Sequence, residues 1–171
     1  MSYTFFPASK VLILTNSDYY PYLLEKIRNA KKNIDATIFI INMRLFFDKE
    51  KLVKNLLNEL IYAKWRGIDL RIIVGRSKGT AEIDIQDRIA HRYLQRNGVP
   101  VKFVNSPDDY SLHSKYVIVD DTLVIVGSHN WSPDAFSESK EDSVAIYSRD
   151  VAIKFKKEFE RIWGTGLEEI E

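Results

Sequence analysis

Short apolar segments rich in β-branched residues alternate along this chain with segments of helical periodicity. "KVLIL", starting at Lys10, is followed by "NIDATIFIIN", "DLRIIVG" and "VPVKFV", with a helical pattern after each of the first three. Two further strand-like segments then follow each other directly, before "SVAIYS". This order predicts an α/β fold with a mixed, mostly parallel sheet sandwiched between helices on both faces.

The predicted helices carry apolar residues at spacings of three and four. They cover Tyr19–Lys32, a long segment capped by Asp48 and ended by Gly67, Glu82–Arg96, and a last segment from Asp150. The stripe expected for the third helix contains Ile85, Ile89, Ala90, Tyr93 and Leu94. The polar stretches between elements are predicted to be loops: Arg76–Thr80, Asn105–Ser111 and Ser132–Lys140.

Composition excludes several classes of protein. A chain of 171 residues with 45% hydrophobic content suits one domain with one core, and a formal net charge of +1 gives no strong overall field for nucleic acid or membrane. The absence of cysteine excludes disulfides and thiolate sites. "MSYTFFPASK" has no signal-peptide pattern, and no apolar run approaches the ~20 residues of a membrane span, so we expect a cytoplasmic protein.

The segment "LHSKYVIVDDTLVIVGSHN", Leu112–Asn130, is predicted to form a β-hairpin. Asp120 and Asp121 tolerate left-handed backbone and suit a two-residue turn, which would pair Val119 with Thr122. In this register opposed side chains share a face, so four polar groups are expected on one face at one end of the hairpin: His113, Lys115, Ser128 and Asn130. The grouping depends on the register, because a slip of one residue would break it.

These four side chains predict a phosphate site with a nucleophile beside it. An ammonium supplies charge, while a hydroxyl and an amide supply hydrogen bonds around an imidazole. Gly127 has no side chain and allows close backbone approach at the strand end. No carboxylate cluster of the kind that Mg²⁺ or Ca²⁺ requires accompanies them, so we expect a site without metal or cofactor.

The spacing resembles the HKD signature of the phospholipase D superfamily. His113-x-Lys115 is followed by Asp120 after four residues, and Gly127-Ser128-x-Asn130 follows after six more. The order of elements over residues 1–171 is also similar to a single phospholipase D-like half-domain, as in the single-motif, endonuclease-like subgroup.

The resemblance implies a role for each residue. His113 would attack phosphorus and form a phosphohistidine, while Lys115, Ser128 and Asn130 would hold the non-bridging oxygens. Glu141 matches the family's acidic residue that accepts a hydrogen bond from the histidine, with Asp142 as the near alternative. Asp120 and Gly127 would be structural parts of the motif.

The family mechanism uses two histidines of this kind, and the chain has three histidines in total. His91 lies in a helical pattern and is expected on the helix surface. His129 alternates with Ser128 and Asn130 and is expected on the opposite face of the strand. We therefore predict a homodimer in which two His113 side chains meet at a two-fold axis.

Further candidates for substrate contact lie near the motif. Tyr110 and Trp131 could line the pocket, although core packing is the alternative for Trp131. Loop or strand-end residues could reach phosphate, with a solvated surface as the alternative: Arg76, Lys78, Asn42 and Arg44.

Three functions are consistent with these features. The first is a metal-independent phosphodiesterase, a nuclease acting on DNA or RNA. The second is a phospholipid phosphodiesterase or phosphatidyltransferase, for which "RLFF" and "YTFFP" are the apolar segments available for docking. The third is a non-catalytic nucleic-acid-binding module, against which the complete motif argues.

Overall fold

A mixed sheet of seven strands forms the centre of the protein. The computed structural model describes residues 3–43, 51–76, 81–105 and 112–168. The strands are β1 (Lys10–Thr15), β2 (Asn33–Ile38), β3 (Asp69–Val74), β4 (Val101–Phe103), β5 (Tyr116–Val119), β6 (Leu123–Gly127) and β7 (Asp142–Tyr147). Their order across the sheet is β1-β7-β6-β5-β2-β3-β4.

More pairs of neighbouring strands are antiparallel than the sequence predicted. β3 pairs in parallel with β2 and β4, whereas the other four described pairs are antiparallel. The α/β class and the mixed sheet are confirmed, but "mostly parallel" is wrong for the pairs. The reason is that β5, β6 and β7 insert between β1 and β2, with β5 and β6 joined directly as a hairpin.

Helices cover both faces of the sheet. They are α1 (Tyr19–Asn29), α2 (Lys51–Trp65), α3 (Ala81–Arg96), α4 (Pro133–Ser137) and α5 (Arg149–Thr165). Buried residues of α1 to α4 pack with one face of the sheet, and α5 packs with Tyr116, Ile118 and Val124 on the other. β2 lies between these layers and is buried along its whole length, including its polar residues Asn33, Asp35 and Thr37.

The hairpin turn differs from the prediction by one residue. Val119 pairs with Leu123, so the turn comprises Asp120, Asp121 and Thr122. Both aspartates have positive φ, 53° and 54°, as expected of residues that tolerate this region. The Asp120 carboxylate accepts hydrogen bonds from the backbone N–H groups of residues 31–33 at 2.7 to 3.3 Å and joins the turn to the start of β2.

Two helices differ from the sequence patterns. α4 lies in a stretch predicted to be a loop, where Ser132 caps its first turn by accepting from the Ala135 N–H. In α3 the buried face contains Asp87 and His91, whereas Ile85 is largely exposed. The prediction that His91 lies on the helix surface is therefore wrong. The predicted cap Asp48 lies outside the described residues.

Candidate active site

The predicted site residues lie where several strands end or begin at one edge of the sheet. Because β5 is antiparallel to both β2 and β6, it starts at the edge where those two strands end. β7 is antiparallel to β6 and starts there too. Above the start of β5 the chains leaving β2 and β6 run side by side, with the Trp131 N–H donating to the Ile40 carbonyl at 3.0 Å. We call this the upper edge of the sheet.

His113 and Lys115 are in contact at this edge. The Lys115 Nζ lies 3.3 Å from His113 Nδ1 and donates to the His113 carbonyl at 2.8 Å. The imidazole is exposed, whereas Lys115 is only 7% exposed. The pair thus presents an accessible ring whose neighbour is an ammonium held by the backbone of the same segment.

The surroundings of Lys115 act on its charge in opposite directions. Burial lowers the pKa of Lys115 from its ordinary value of 10.5, while the negative charge of Glu141 opposes this shift. Glu141 is half-buried just before β7, and its backbone is held by Asn16, whose N–H donates to the Glu141 carbonyl at 2.8 Å. The Glu141 carboxylate is thus close enough for its charge to act on Lys115.

The end of β6 carries the other half of the motif. The Gly127 N–H donates to the Lys115 carbonyl at 3.2 Å, and any side chain at Gly127 would collide with Ser143 and the Asp142 carbonyl. The Ser128 hydroxyl accepts from the Asp142 N–H at 3.1 Å, so it connects β6 to β7. Asn130 Oδ1 is buried and has no hydrogen-bond partner among the described residues.

The register predicted for the β5–β6 hairpin does not explain why the four motif residues lie at the same edge of the sheet. With Tyr116 opposite Val126, the ladder would extend to place Lys115 beside Gly127 and His113 beside His129. The predicted pairing of Val119 with Thr122 would have set His113 opposite Ser128, and this register is wrong. His113 and Lys115 come just before β5 and Ser128 and Asn130 come just after β6, so the antiparallel pairing of these strands places all four at the upper edge.

The other residues predicted to contact substrate are buried in the core, lie out of contact with the His113–Lys115 pair, or fall outside the described residues. Trp131 is 0% exposed and packs in the core, so it cannot contact a substrate in this structure. Arg76 follows β3 at the upper edge; its Nε is buried without a partner among the described residues, and no contact with His113 is seen. Asn42 also shows no contact with the pair. Tyr110, Lys78 and Arg44 lie outside the described residues.

His129 lies away from the pair. Its ring is buried, stacks on Tyr19 at 4.2 Å between centroids, and bonds to the Ser143 hydroxyl at 2.8 Å and the Asn16 carbonyl at 2.9 Å. His91 is likewise buried and stacks on Phe103 at 4.4 Å. Both rings are used in packing.

Sequence reasoning missed one residue of the site, Phe39. It directly follows β2, and its ring contacts both His113 and Lys115. An aromatic residue at the end of an apolar strand has no pattern that separates it from core residues, so no sequence signal could have selected it.

The sheet topology and the His–Lys pair at its upper edge define an α/β protein of the phospholipase D type. The chain belongs to that family: the family model described as "Cardiolipin synthase, PLD-like domain" matches residues 23–163. The matched region includes every predicted site residue.

Curated proteins are similar to this chain in sequence, and a solved structure is similar to it in fold. The 5′-3′ exonuclease PLD3 of Xenopus laevis is 29% identical over 163 residues, 89% of this chain and 31% of that protein. The mitochondrial cardiolipin hydrolase of Xenopus laevis is 38% identical over 70 residues, 41% of this chain and 32% of that protein. The chain therefore spans about a third of the length of these curated relatives. The crystal structure of Nuc, a phospholipase D family member from Salmonella typhimurium, superposes with a TM-score of 0.76 at 22% identity, covering 92% of this chain and 95% of Nuc.

Among residues 3–43, 51–76, 81–105 and 112–168, none of the helices combines the length and the apolar character that crossing a membrane requires.

Proposed function

We propose that this chain is a phosphodiesterase that hydrolyses nucleic acid without a metal ion, with His113 as the nucleophile. The observation that carries the proposal is the contact between the exposed His113 ring and the buried Lys115 ammonium, 3.3 Å from Nδ1 to Nζ, inside the matched family region. A nucleophile beside a fixed cation suits attack on an anionic phosphodiester.

The reaction proceeds by two displacements. His113 Nε2 attacks phosphorus, an N–P bond forms, and the bond from phosphorus to the leaving oxygen breaks. A second imidazolium gives its proton to that oxygen. Water then attacks phosphorus and gives its proton to the second imidazole while the N–P bond breaks. For Nε2 to attack, Nδ1 must carry the proton; in the reactive state Nδ1 therefore donates to Glu141, the proposed acceptor, and the Lys115 ammonium, which lies 3.3 Å from Nδ1 in this structure, gives its free donors to the phosphate instead.

Lys115 and Asn130 stabilise the charge on the phosphate. Lys115 uses one donor on the His113 carbonyl, which leaves N–H groups for a non-bridging oxygen. The Asn130 amide is the second proposed donor. Ser128 was predicted to share this role, but its hydroxyl bonds to the Asp142 backbone, so its proposed part is to place Asn130.

A second copy of the chain supplies the second imidazole in this proposal. The chain has three histidines, and the rings of His91 and His129 are buried and occupied by packing contacts. A two-fold homodimer would bring His113 of each copy to one phosphorus. The single-domain organisation of residues 1–171 and a cytoplasmic location, which suits a chain without cysteine, are parts of the same proposal.

Nucleic acid is the preferred substrate, and a phospholipid is the second candidate. The exonuclease relative matches along 89% of this chain, which favours nucleic acid. The name of the family model and the cardiolipin hydrolase relative favour a lipid phosphodiester or phosphatidyl transfer. In either substrate, the phosphodiester group would bind against the His113–Lys115 pair.

The test is a substrate panel in excess EDTA. Single- and double-stranded DNA, RNA and cardiolipin vesicles are incubated with wild type, His113→Ala and Ser114→Ala. Ser114 is the matched control, because it is exposed and lies between the two motif residues. Nucleic-acid cleavage that persists in EDTA, vanishes in His113→Ala and survives in Ser114→Ala supports the proposal.

Other outcomes reject it. Cleavage of cardiolipin alone supports the lipid candidate, and binding of nucleic acid without cleavage supports a non-catalytic module. Turnover that requires added metal, or wild-type turnover by His113→Ala, contradicts the mechanism.

A further inference from the structure

Phe39 touches both members of the His113–Lys115 pair. Its ring centroid lies 4.6 Å from that of His113, with the planes tilted by 48°, and 5.1 Å from Lys115 Nζ. Phe39 is half-buried and directly follows β2, an inner strand of the sheet that is buried along its length. One ring on a rigid strand end therefore supports the two groups that the proposed reaction uses.

The contact between the Phe39 ring and the Lys115 ammonium is a cation–π interaction. The face of an aromatic ring attracts an ammonium ion, and it does so without taking a hydrogen-bond acceptor's place at the N–H groups. The ring can thus hold Nζ near His113 and leave its donors for the His113 carbonyl and a phosphate oxygen. A carboxylate in this position would compete with the phosphate for the same donors.

His113 needs such support because few other groups restrain its ring. Within the part of the chain that the structure describes, the only hydrogen-bond contact of the His113 ring is the one with Lys115. The tilted contact with Phe39 is the one other described contact with a side-chain ring. Aromatic pairs of this kind favour particular ring orientations over others.

Gly75 independently indicates that the position of Phe39 is constrained. A Cβ atom at Gly75 would lie 2.7 Å from the Phe39 carbonyl oxygen, 2.8 Å from Phe39 Cδ2 and 2.9 Å from the Leu112 carbonyl oxygen. Gly75 follows β3, and Leu112 immediately precedes His113. The glycine therefore lets the ring of Phe39 and the segment that carries His113 approach the same point.

We propose that Phe39 is a positioning residue of the active site, which holds the Lys115 ammonium and the His113 imidazole against one aromatic ring. Gly75 leaves the space that the Phe39 ring needs to take up this position. The inference rests on the function proposed above, since it assigns Phe39 a part in the same reaction.

The primary test compares Phe39→Leu, Phe39→Tyr and the remote control Trp65→Leu, an exposed aromatic on α2. Each variant is assayed at a temperature where circular dichroism shows it folded. We expect Phe39→Leu to lower kcat about tenfold with KM changed less than about twofold, and Phe39→Tyr to restore kcat, because the aromatic face is kept. Trp65→Leu should match wild type.

A second readout needs no substrate. Protons on the Lys115 ε-methylene group above the Phe39 face should show an upfield ring-current shift in the NMR spectrum. This shift should vanish in Phe39→Leu and remain in Phe39→Tyr. Gly75→Ala keeps the ring but displaces it, so it should reduce both the shift and kcat.

The outcomes separate this inference from the proposed function. An inactive wild type with the ring-current shift intact rejects the proposed reaction and leaves the contact established. An active wild type whose Phe39→Leu variant keeps kcat within about twofold rejects the positioning role. So does a loss in Phe39→Leu that Phe39→Tyr fails to restore, or a Lys115 shift that persists without the ring.

Discussion

At the scale of single residues, the charge on Lys115 decides how the site depends on pH. Burial lowers its pKa, and the Glu141 carboxylate works against that shift. The alkaline limb of a pH–activity profile should report the loss of the Lys115 proton, because the neutral amine no longer stabilises charge on the phosphate.

Glu141→Gln tests this balance. Removing the carboxylate removes the influence that raises the Lys115 pKa, so the alkaline limb should move to lower pH. kcat should also fall at every pH, since Nδ1 of His113 loses its proposed acceptor. The measurement is kcat against pH for both proteins. An alkaline limb at the same or higher pH in the variant would show that Glu141 does not act on Lys115.

Individual residues also show what sequence reasoning can reach. The residue types and spacing of His113 and Lys115 predict the chemistry of the site directly, whereas Glu141 is predicted only because it matches the family's acidic residue. His91 and Asp87 were not expected in the interior, because polar residues at helical spacing normally face water. Their burial depends on Phe103 and Ile41, partners that are far along the chain and that no local pattern connects.

At the scale of elements, the β5–β6 hairpin is joined to β2 through one carboxylate. Asp120 accepts from three successive backbone N–H groups and has a φ of 53°. The sequence predicted a turn at this place but gave it two residues instead of three. A local pattern does not reveal how this turn is held, because the N–H groups that bind Asp120 belong to residues 31–33, far from it in sequence.

Asp120→Ala and Asp120→Asn should separate the stabilisation that comes from the carboxylate hydrogen bonds from that which comes from tolerance of the left-handed backbone. Alanine loses the carboxylate bonds and tolerates left-handed backbone less well than aspartate, so the unfolding free energy should fall by about 2–3 kcal/mol. Asparagine keeps one oxygen and tolerates the conformation, so its cost should be smaller. Denaturant unfolding measures both, and kcat per folded molecule should remain near wild type. Equal costs for the two variants would contradict the role given to the carboxylate.

At the scale of the whole molecule, a buried acid on α3 makes stability depend on pH. The Asp87 carboxyl is 1% exposed and accepts from the Ile41 N–H at 2.7 Å. Burial raises the pKa of Asp87 from 3.8 to about 8, against the effect of that hydrogen bond. Between these values the folded state holds a proton that the unfolded chain has lost, so this group makes the protein less stable as pH rises.

Asp87→Asn should remove that dependence. The difference in unfolding free energy, variant minus wild type, should grow as pH rises from about 4 to about 8 and then become constant. Denaturant unfolding across this range measures it. A difference that does not change with pH would show that Asp87 titrates alike in the folded and unfolded states.

The proposed homodimer has a quantitative signature in mixtures. If each active site needs His113 from both copies, wild type exchanged with His113→Ala gives mixed dimers without activity. An equal mixture should then retain about one quarter of the wild-type activity at the same total protein, because active dimers form in proportion to the square of the wild-type fraction. Retention of one half would indicate independent subunits.

The fold was accessible to prediction because strand and helix periodicities differ along the chain, as in the step from β2 to α2. The order of strands was less accessible. Insertion of β5 to β7 between β1 and β2 is a long-range arrangement, and it places residues far apart in sequence, such as Asn16 and Glu141, in contact. That arrangement, rather than the hairpin register, assembles the site.

The most direct test of the account is to identify the residue that becomes covalently bonded to phosphorus. Wild-type protein is mixed with substrate in excess, quenched at alkaline pH over a series of short times, digested and mapped by mass spectrometry. We predict an acid-labile phosphoramidate on the peptide that contains His113, absent from the His113→Ala variant. An adduct on any other residue, or turnover through the whole series without an adduct, would contradict it.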